Sequence, residues 1–272
     1  FHSIFGTILV WIDSFSIGYF RTVAEVGIYN AIIPLVMLLG LIPDLFTQFF
    51  FPLVNKEYSR GNKKLVKEIS KQIGKWIFAV NLPIFIAMMI FPEAIINIFF
   101  GPEYLSGKFS LQILSFAYFA FSISLVSYNL ILIKGKSTTL LINSFFVALL
   151  NLGLNFILVP KYGINGAAIS TAFCVITMSI IFLIQAKIYT SIVPLKKKML
   201  IILLASITPF LSLVLIEKYL ETNLLIIIIS GALFIILYVF MILLFKGFDK
   251  NDRSIITAVI KKFSKKTKIS LQ

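Results

Sequence analysis

Asp13, Asp44 and Glu93 each stand inside a long apolar run, which makes them the first residues to weigh. A charge near the centre of a bilayer costs about 2.5–3.5 kcal/mol on insertion scales. An acid kept there binds an ion, relays a proton or pairs with another polar group. Asp13 lies seven residues before Phe20, about 10 Å along a helix. It reads either as an ion- or substrate-contacting carboxylate, or as the partner of Arg21 or of a polar group on a neighbouring helix. Asp44 follows Pro43, and a proline frees a backbone carbonyl and can kink a helix. Asp44 is therefore expected to cap a helix restarting there, the alternative being an ion site. Glu93 repeats the Pro-acid order in "FPEAI" and reads as a cap.

Asn143, Asn151 and Asn155 are spaced by eight and four residues, which places them on one helix face. They either line a polar path or hydrogen-bond between helices, at about 0.6–2 kcal/mol each. Gln112, Ser115, Ser122 and Asn129 are similar but less regular. His2 and Cys174 are the only His and Cys. A zinc site needs three or four ligands and an intrachain disulfide needs two cysteines, so no metal and no cofactor are expected. Cys174 reads as a small packing residue.

The elements that must position these residues follow from composition. Hydrophobic residues make up 59% of the 272, against about half in a soluble domain, and mean hydropathy is +1.00. About 20 apolar residues cross a bilayer core. Eight stretches qualify: 1–20, 28–51, 76–100, 109–133, 140–159, 167–189, 199–216 and 224–245. The runs are continuous rather than alternating, which predicts helices and not a β-barrel. Taken alternately, connections 55–75, 134–139, 187–198 and 246–272 hold 21 Lys/Arg, and 21–27, 101–108, 160–166 and 217–223 hold 4. The positive-inside rule makes the first set, and the C-terminus, cytoplasmic. The net charge of +14 is thus a topology signal rather than a nucleic-acid footprint. "KKLVKEISKQIGKW" and "SIITAVIKKFSKK" carry apolar residues at helical spacing between lysines. They read as helices lying in the interface against anionic head groups, or as topology determinants alone. The chain starts on Phe1 with an apolar run at once and no basic leader; the expectation is a fragment lacking upstream residues.

"LINSFFVALLNLGLNFILVPKYGINGAAISTAF" reads as a tight helical hairpin. Pro160 is expected to end the first helix, Gly163 and Gly166 to allow the reversal, and Gly166, Ala167, Ala168 and Ser170 to give the second helix a small face. The pattern P-x-Y-G-I-x-G-A-A also resembles the polysaccharide-biosynthesis flippases of the MOP (MATE-like) exporter superfamily. "IDSFSIGYFRTVAEVGIYNAIIPL", "FFPLVNKEYSRGNKKLV", "FFGPEYLSG" and "LIKGKSTTLLINSFF" resemble further stretches of that family, spread in order over residues 11–172.

The resemblance implies an all-α integral membrane protein related to a transporter of two six-helix lobes. Residues 1–189 would form the second lobe, 190–245 two additional transmembrane helices, and 246–272 a basic cytoplasmic amphipathic tail. The N-terminal lobe would be the missing partner, with the substrate cavity between lobes in the cytoplasmic membrane. Asp13 would face that cavity and couple to protons or sodium, or contact a sugar. Asn143, Asn151 and Asn155 would line the sugar path. Family members that move pyrophosphate-linked sugars often place Arg or Lys in the cavity. No cation lies deep in a predicted span here, which leaves Arg21, Lys134 and Lys136 at span ends as candidates, with Asp44 as a further ion-site candidate. The implied function is flipping of a lipid-linked oligosaccharide by alternating access, with membrane lipids as the other partners. A multidrug or small-molecule cation antiporter of the same superfamily is the alternative. A membrane enzyme fits less well, since no D-x-D occurs and the sole His stands at the start of the chain.

Overall fold

Apolar runs in lipid leave the backbone few ways to satisfy its hydrogen bonds, and this chain uses helices. The computed structural model describes residues 2–219, 224–245, 247 and 252, and no strand occurs among them. The elements are α1 (His2–Phe20), α2 (Val23–Ser59), α3 (Lys63–Ile90), α4 (Pro92–Phe100), a short 3-10 helix (Pro102–Gly107), α5 (Lys108–Ile133), α6 (Ser137–Tyr162), α7 (Ile164–Thr190), α8 (Lys198–Ala205), α9 (Ile207–Tyr219) and α10 (Leu224–Leu244). Six described stretches are long and apolar enough to cross a membrane: Val23–Ser59, Lys63–Ile90, Pro102–Ile133, Ser137–Tyr162, Ile164–Thr190 and Lys198–Ile216. Two shorter apolar helices, Phe5–Phe20 and Ile229–Leu244, fall on the remaining two predicted runs. This is a multi-pass membrane architecture.

Four expectations change. α2 passes Pro34, Pro43 and Pro52 without a break, so no helix restarts at Asp44 and this residue is not a cap. Pro43 cannot donate to the carbonyl of Leu39, four residues back. Asn81 Nδ2 on α3 donates to that oxygen instead, at 2.8 Å. Pro83 in α3 leaves Ala79 in the same position, and the Tyr238 hydroxyl of α10 donates there at 2.8 Å. Second, α3 runs unbroken from Lys63, so "KKLVKEISKQIGKW" is the first part of a long helix and not a separate surface one. Val66 and Ile77 on it are buried against Val54, Val126 and Leu130. Third, the predicted runs 76–100 and 199–216 are each interrupted, at Phe91 and Ser206. Fourth, Pro160 sits inside the last turn of α6, and the helix ends at Gly163, whose φ of +57° suits glycine. The expected surface helix at "SIITAVIKKFSKK" and the tail 246–272 lie outside the described residues, apart from Gly247 and Asp252.

The connections sort into two ends. Lys134, after α5, lies 5.9 Å from the Tyr58 ring at the end of α2, and Lys136 lies 5.7 Å from the Tyr189 ring at the end of α7. Lys196, between α7 and α8, donates to Gln72 Oε1 of α3 at 2.8 Å. Three lysine-bearing connections therefore meet. At the other end, Arg21 reaches the last carbonyls of α6, and Ser110 donates to Asn165 Oδ1 at 2.8 Å.

α5 and α7 form the centre, packed on each other and flanked by α2, α3 and α6. Small residues permit the approach. Ser115, Ala117, Ser122 and Ser124 on α5 are buried, as are Ala167, Ala168, Ala172 and Cys174 on α7. At Gly166 a Cβ would lie 2.3 Å from the Leu158 carbonyl oxygen, so only glycine fits the hairpin. α8–α10 pack on another side of α3, where Phe78, Leu82 and Ile86 meet Ile202, Phe234 and Tyr238.

The proline repair is testable. Asn81→Leu leaves the Leu39 carbonyl without its donor and is expected to lower stability by about 1–3 kcal/mol. Pro43→Ala, which restores a backbone N–H, should recover most of that loss in the double variant. Thermal unfolding in detergent reads both. An N81L protein as stable as the parent would show that the bond carries no weight.

Candidate functional site

Two helical hairpins bring the site together. Thr22 starts α2 by accepting from Glu25 N at 3.3 Å, which makes the α1–α2 reversal tight. Asp13 and Tyr29 are each eight residues from Arg21 in that turn, and they meet. Asn155 and Thr171 are likewise each eight residues from Gly163 in the α6–α7 turn. The close passage at Gly166 brings α6 and α7 near enough for both to reach Asp13.

Asp13 is 0% exposed. Its Oδ2 accepts from the Tyr29 hydroxyl at 2.6 Å and from the Thr171 hydroxyl at 2.6 Å. Its Oδ1 accepts from Asn155 Nδ2 at 2.7 Å. Asn151 Nδ2 donates to Thr171 Oγ1 at 2.9 Å, which turns the threonine hydrogen towards the carboxylate. A weaker contact of 3.4 Å joins Asn155 Nδ2 to Asn151 Oδ1. One carboxyl group thus ties α1, α2, α6 and α7 together.

An ionised carboxylate is acceptor-only with about four lone-pair positions, and neutral donors fill three of them. Among the described residues no lysine or arginine forms an ion pair with Asp13. Asn155 Oδ1 is buried without a hydrogen-bond partner. The cluster therefore offers carboxylate, amide and hydroxyl oxygens around one point, a set that suits a proton or a hard cation. Among the described residues no three His, Cys, Asp or Glu side chains come together.

The other predicted residues fall elsewhere. Arg21 Nε and Nη2 donate to the Val159 and Pro160 carbonyls at 3.2 and 2.9 Å, so Arg21 closes the end of α6 and does not pair with Asp13. Asn143 forms a two-way amide pair with Gln185 of α7, at 2.8 and 3.2 Å, apart from the Asp13 cluster. The predicted asparagine face is therefore divided, with Asn151 and Asn155 in the cluster and Asn143 outside it. Asp44 lines a cleft of about 340 Å³ between α1, α2, α5 and α7, together with Thr7, Tyr118 and Ser122. Glu93 lies in the first turn of α4, as a cap would, but its carboxylate pairs with Lys108 at 2.6 Å. Lys134 and Lys136 are exposed at the lysine-rich end.

Tyr29 and Thr171 were missed in the sequence. Ser170 drew attention instead, and its hydroxyl bonds back to Gly166 of its own helix. The signal that finds both is hairpin register, equal distance from the turn residue. Lys75 was missed as well: counted with a connection, it is buried in α3 at 1% exposure and paired with Asp252. Asp252 also accepts from Gln72 and Trp76, so α3 holds a residue from beyond α10.

Comparison with known proteins adds the context. Residues 1–157 match the MatE family. An uncharacterised membrane protein of Methanocaldococcus jannaschii is 27% identical over 94% of this chain and 51% of its own length. A Shigella flexneri protein named as an O-antigen transporter is 26% identical over 64% of this chain and 41% of its own. A Haloferax volcanii protein named as a low-salt glycan biosynthesis flippase is 28% identical over 62% of this chain and 36% of its own. The chain spans about half the length, or less, of these curated relatives.

If Tyr29 and Asp13 share one site, their substitutions will not add. Tyr29→Phe alone is expected to destabilise by about 1–3 kcal/mol, and by clearly less in an Asp13→Leu background. A double-mutant cycle by thermal unfolding should return a coupling of about 0.5–3 kcal/mol. Additive effects would show that the bond is not formed.

Proposed function

Because this chain belongs to the MatE family, we propose that it forms part of a transporter that flips a lipid-linked oligosaccharide across the cytoplasmic membrane by alternating access. Relatives named for O-antigen transport and glycan flipping support the substrate class. In this reading the chain crosses the bilayer eight times. Residues 1–189 are one six-helix lobe and 190–245 an added pair. A second lobe faces it across the substrate cavity, and the lysine-rich end is cytoplasmic.

The observation that carries the mechanism is the Asp13 cluster. Rocking of lobes needs an element with two arrangements that a ligand can bias. A carboxyl group on α1 gripped by donors from α2, α6 and α7 meets that need. Taking up a proton, or a sodium ion with Asn155 Oδ1 as a further ligand, changes which hydrogen bonds the carboxyl makes. The packing of the α1–α2 hairpin on the α6–α7 hairpin changes with it. Asp13 thus acts by coupling an ion to helix positions, and Asn151 and Asn155 hold it in place rather than lining an open sugar path. No covalent chemistry is required.

Two experiments test this. In the full-length protein, Asp13→Asn should cut surface glycan at unchanged protein level, without altering drug susceptibility. Unchanged glycan would remove Asp13 from the mechanism, and altered drug tolerance would point to an antiporter. For topology, cysteines replacing Lys64 and Lys161 should label from opposite sides of the membrane. Labelling from one side would overturn the span order.

A further inference from the structure

The break between α3 and α4 leaves a groove that the transport reading does not use. It measures about 570 Å³ and runs between α3, α5 and α9, at the end of the protein opposite the lysine-rich connections. Phe85, Phe91, Phe109 and Phe210 supply aromatic walls. Phe109 and Phe210 are 55% and 37% exposed, so these walls open outwards from the chain. The floor holds a backbone group already satisfied: Gln112 Nε2 donates to the Met89 carbonyl, freed by the helix break, at 2.8 Å. The phenylalanines and Ile86, Ile90 and Val214 make the inner part of the groove apolar, and its polar groups are Gln112, Lys108 and Glu93.

The rim is different. Lys108, the first residue of α5, pairs with Glu93 at 2.6 Å, and their side chains are 38% and 60% exposed. An ammonium has three donors and a carboxylate two oxygens. The pair occupies one donor and one oxygen, and Lys108 Nζ also lies 5.2 Å from the Phe109 ring, which leaves Glu93 Oε2 and further N–H capacity on Lys108 for a ligand. A cation and an anion side by side, above an aromatic slot, complement a head group carrying a phosphate and a primary ammonium.

We propose that this groove binds one resident bilayer phospholipid of the ethanolamine type, its phosphate on Lys108, its ammonium on Glu93 and an acyl chain along the phenylalanines. A trimethylammonium head group lacks the N–H that Glu93 would accept. A head group with net negative charge meets repulsion from Glu93. The site therefore selects by the rim pair, while the apolar walls take any chain.

The test uses the full-length protein in detergent, equilibrated with equal amounts of phosphatidylethanolamine, phosphatidylcholine and phosphatidylglycerol of matched chains. Native mass spectrometry counts the lipids retained. The ethanolamine lipid should be favoured by about fivefold, the scale of an exposed charged contact. Glu93→Gln and Lys108→Met should each bring the three lipids close to equality, while Glu103→Gln, at the same end but outside the groove, should not. Equal retention by the parent protein, a preference for phosphatidylglycerol, or an ethanolamine preference that survives both rim variants would each overturn the proposal. Glu93 is largely and Lys108 partly exposed, and thermal unfolding of both variants checks that they remain folded.

Discussion

In lipid a polar group has no water to fall back on, and this structure is organised around that constraint. At four places where the helical ladder fails, a side chain from elsewhere in the chain takes over. Asn81 serves the carbonyl that Pro43 abandons, and Tyr238 serves the one that Pro83 abandons. Gln112 covers Met89 at the α3–α4 break, and Arg21 covers the end of α6. The two proline repairs are also bonds between helices, α2 to α3 and α3 to α10, so these defects fasten the fold. The tie from Tyr238 to Ala79 is what joins α10 to α3 through hydrogen bonding as well as through apolar packing.

Asp13 is the extreme case of the same constraint. A carboxyl group at 0% exposure persists because three donors converge on it, and those donors come from helices that would otherwise have less reason to stay in register. Lys75 and Asp252 show a second solution at the lysine-rich end, where opposite charges are buried together. Leaving one partner of a buried pair alone is strongly unfavourable, so Asp252 holds the chain beyond α10 against α3. Neutral donors surround Asp13 and a cation faces Asp252. In the proposed mechanism, that difference separates a group that changes its protonation or ion occupancy from one fixed as a structural tie.

Much of this was legible in the sequence because it depends on local pattern. Apolarity gave an all-helical, multi-pass chain, seen as six described stretches long enough to cross a membrane and two shorter apolar helices, and the small residues around Gly166 gave the close hairpin. What was not legible depends on contacts distant in sequence. Asp44 looked like a cap because Pro43 looked like a break, and the donor that serves the freed Leu39 carbonyl, Asn81, lies forty-two positions away. Lys75 looked like a surface lysine because its partner lies 177 positions away. Asn143 looked equivalent to Asn151 and Asn155 because helical spacing reports a face but not which neighbour that face meets along its length. Tyr29 and Thr171 were recoverable, had residues been counted outwards from the turns.

The central claim is that ion occupancy at Asp13 sets the packing of two hairpins and so drives transport. It is tested most directly by reconstituting the full-length protein in liposomes and following movement of a lipid-linked oligosaccharide under an imposed proton or sodium gradient. The account predicts that one of these gradients accelerates transport by the parent protein and that D13N loses this response while remaining folded. A D13N protein that responds to the gradient as the parent does would contradict it.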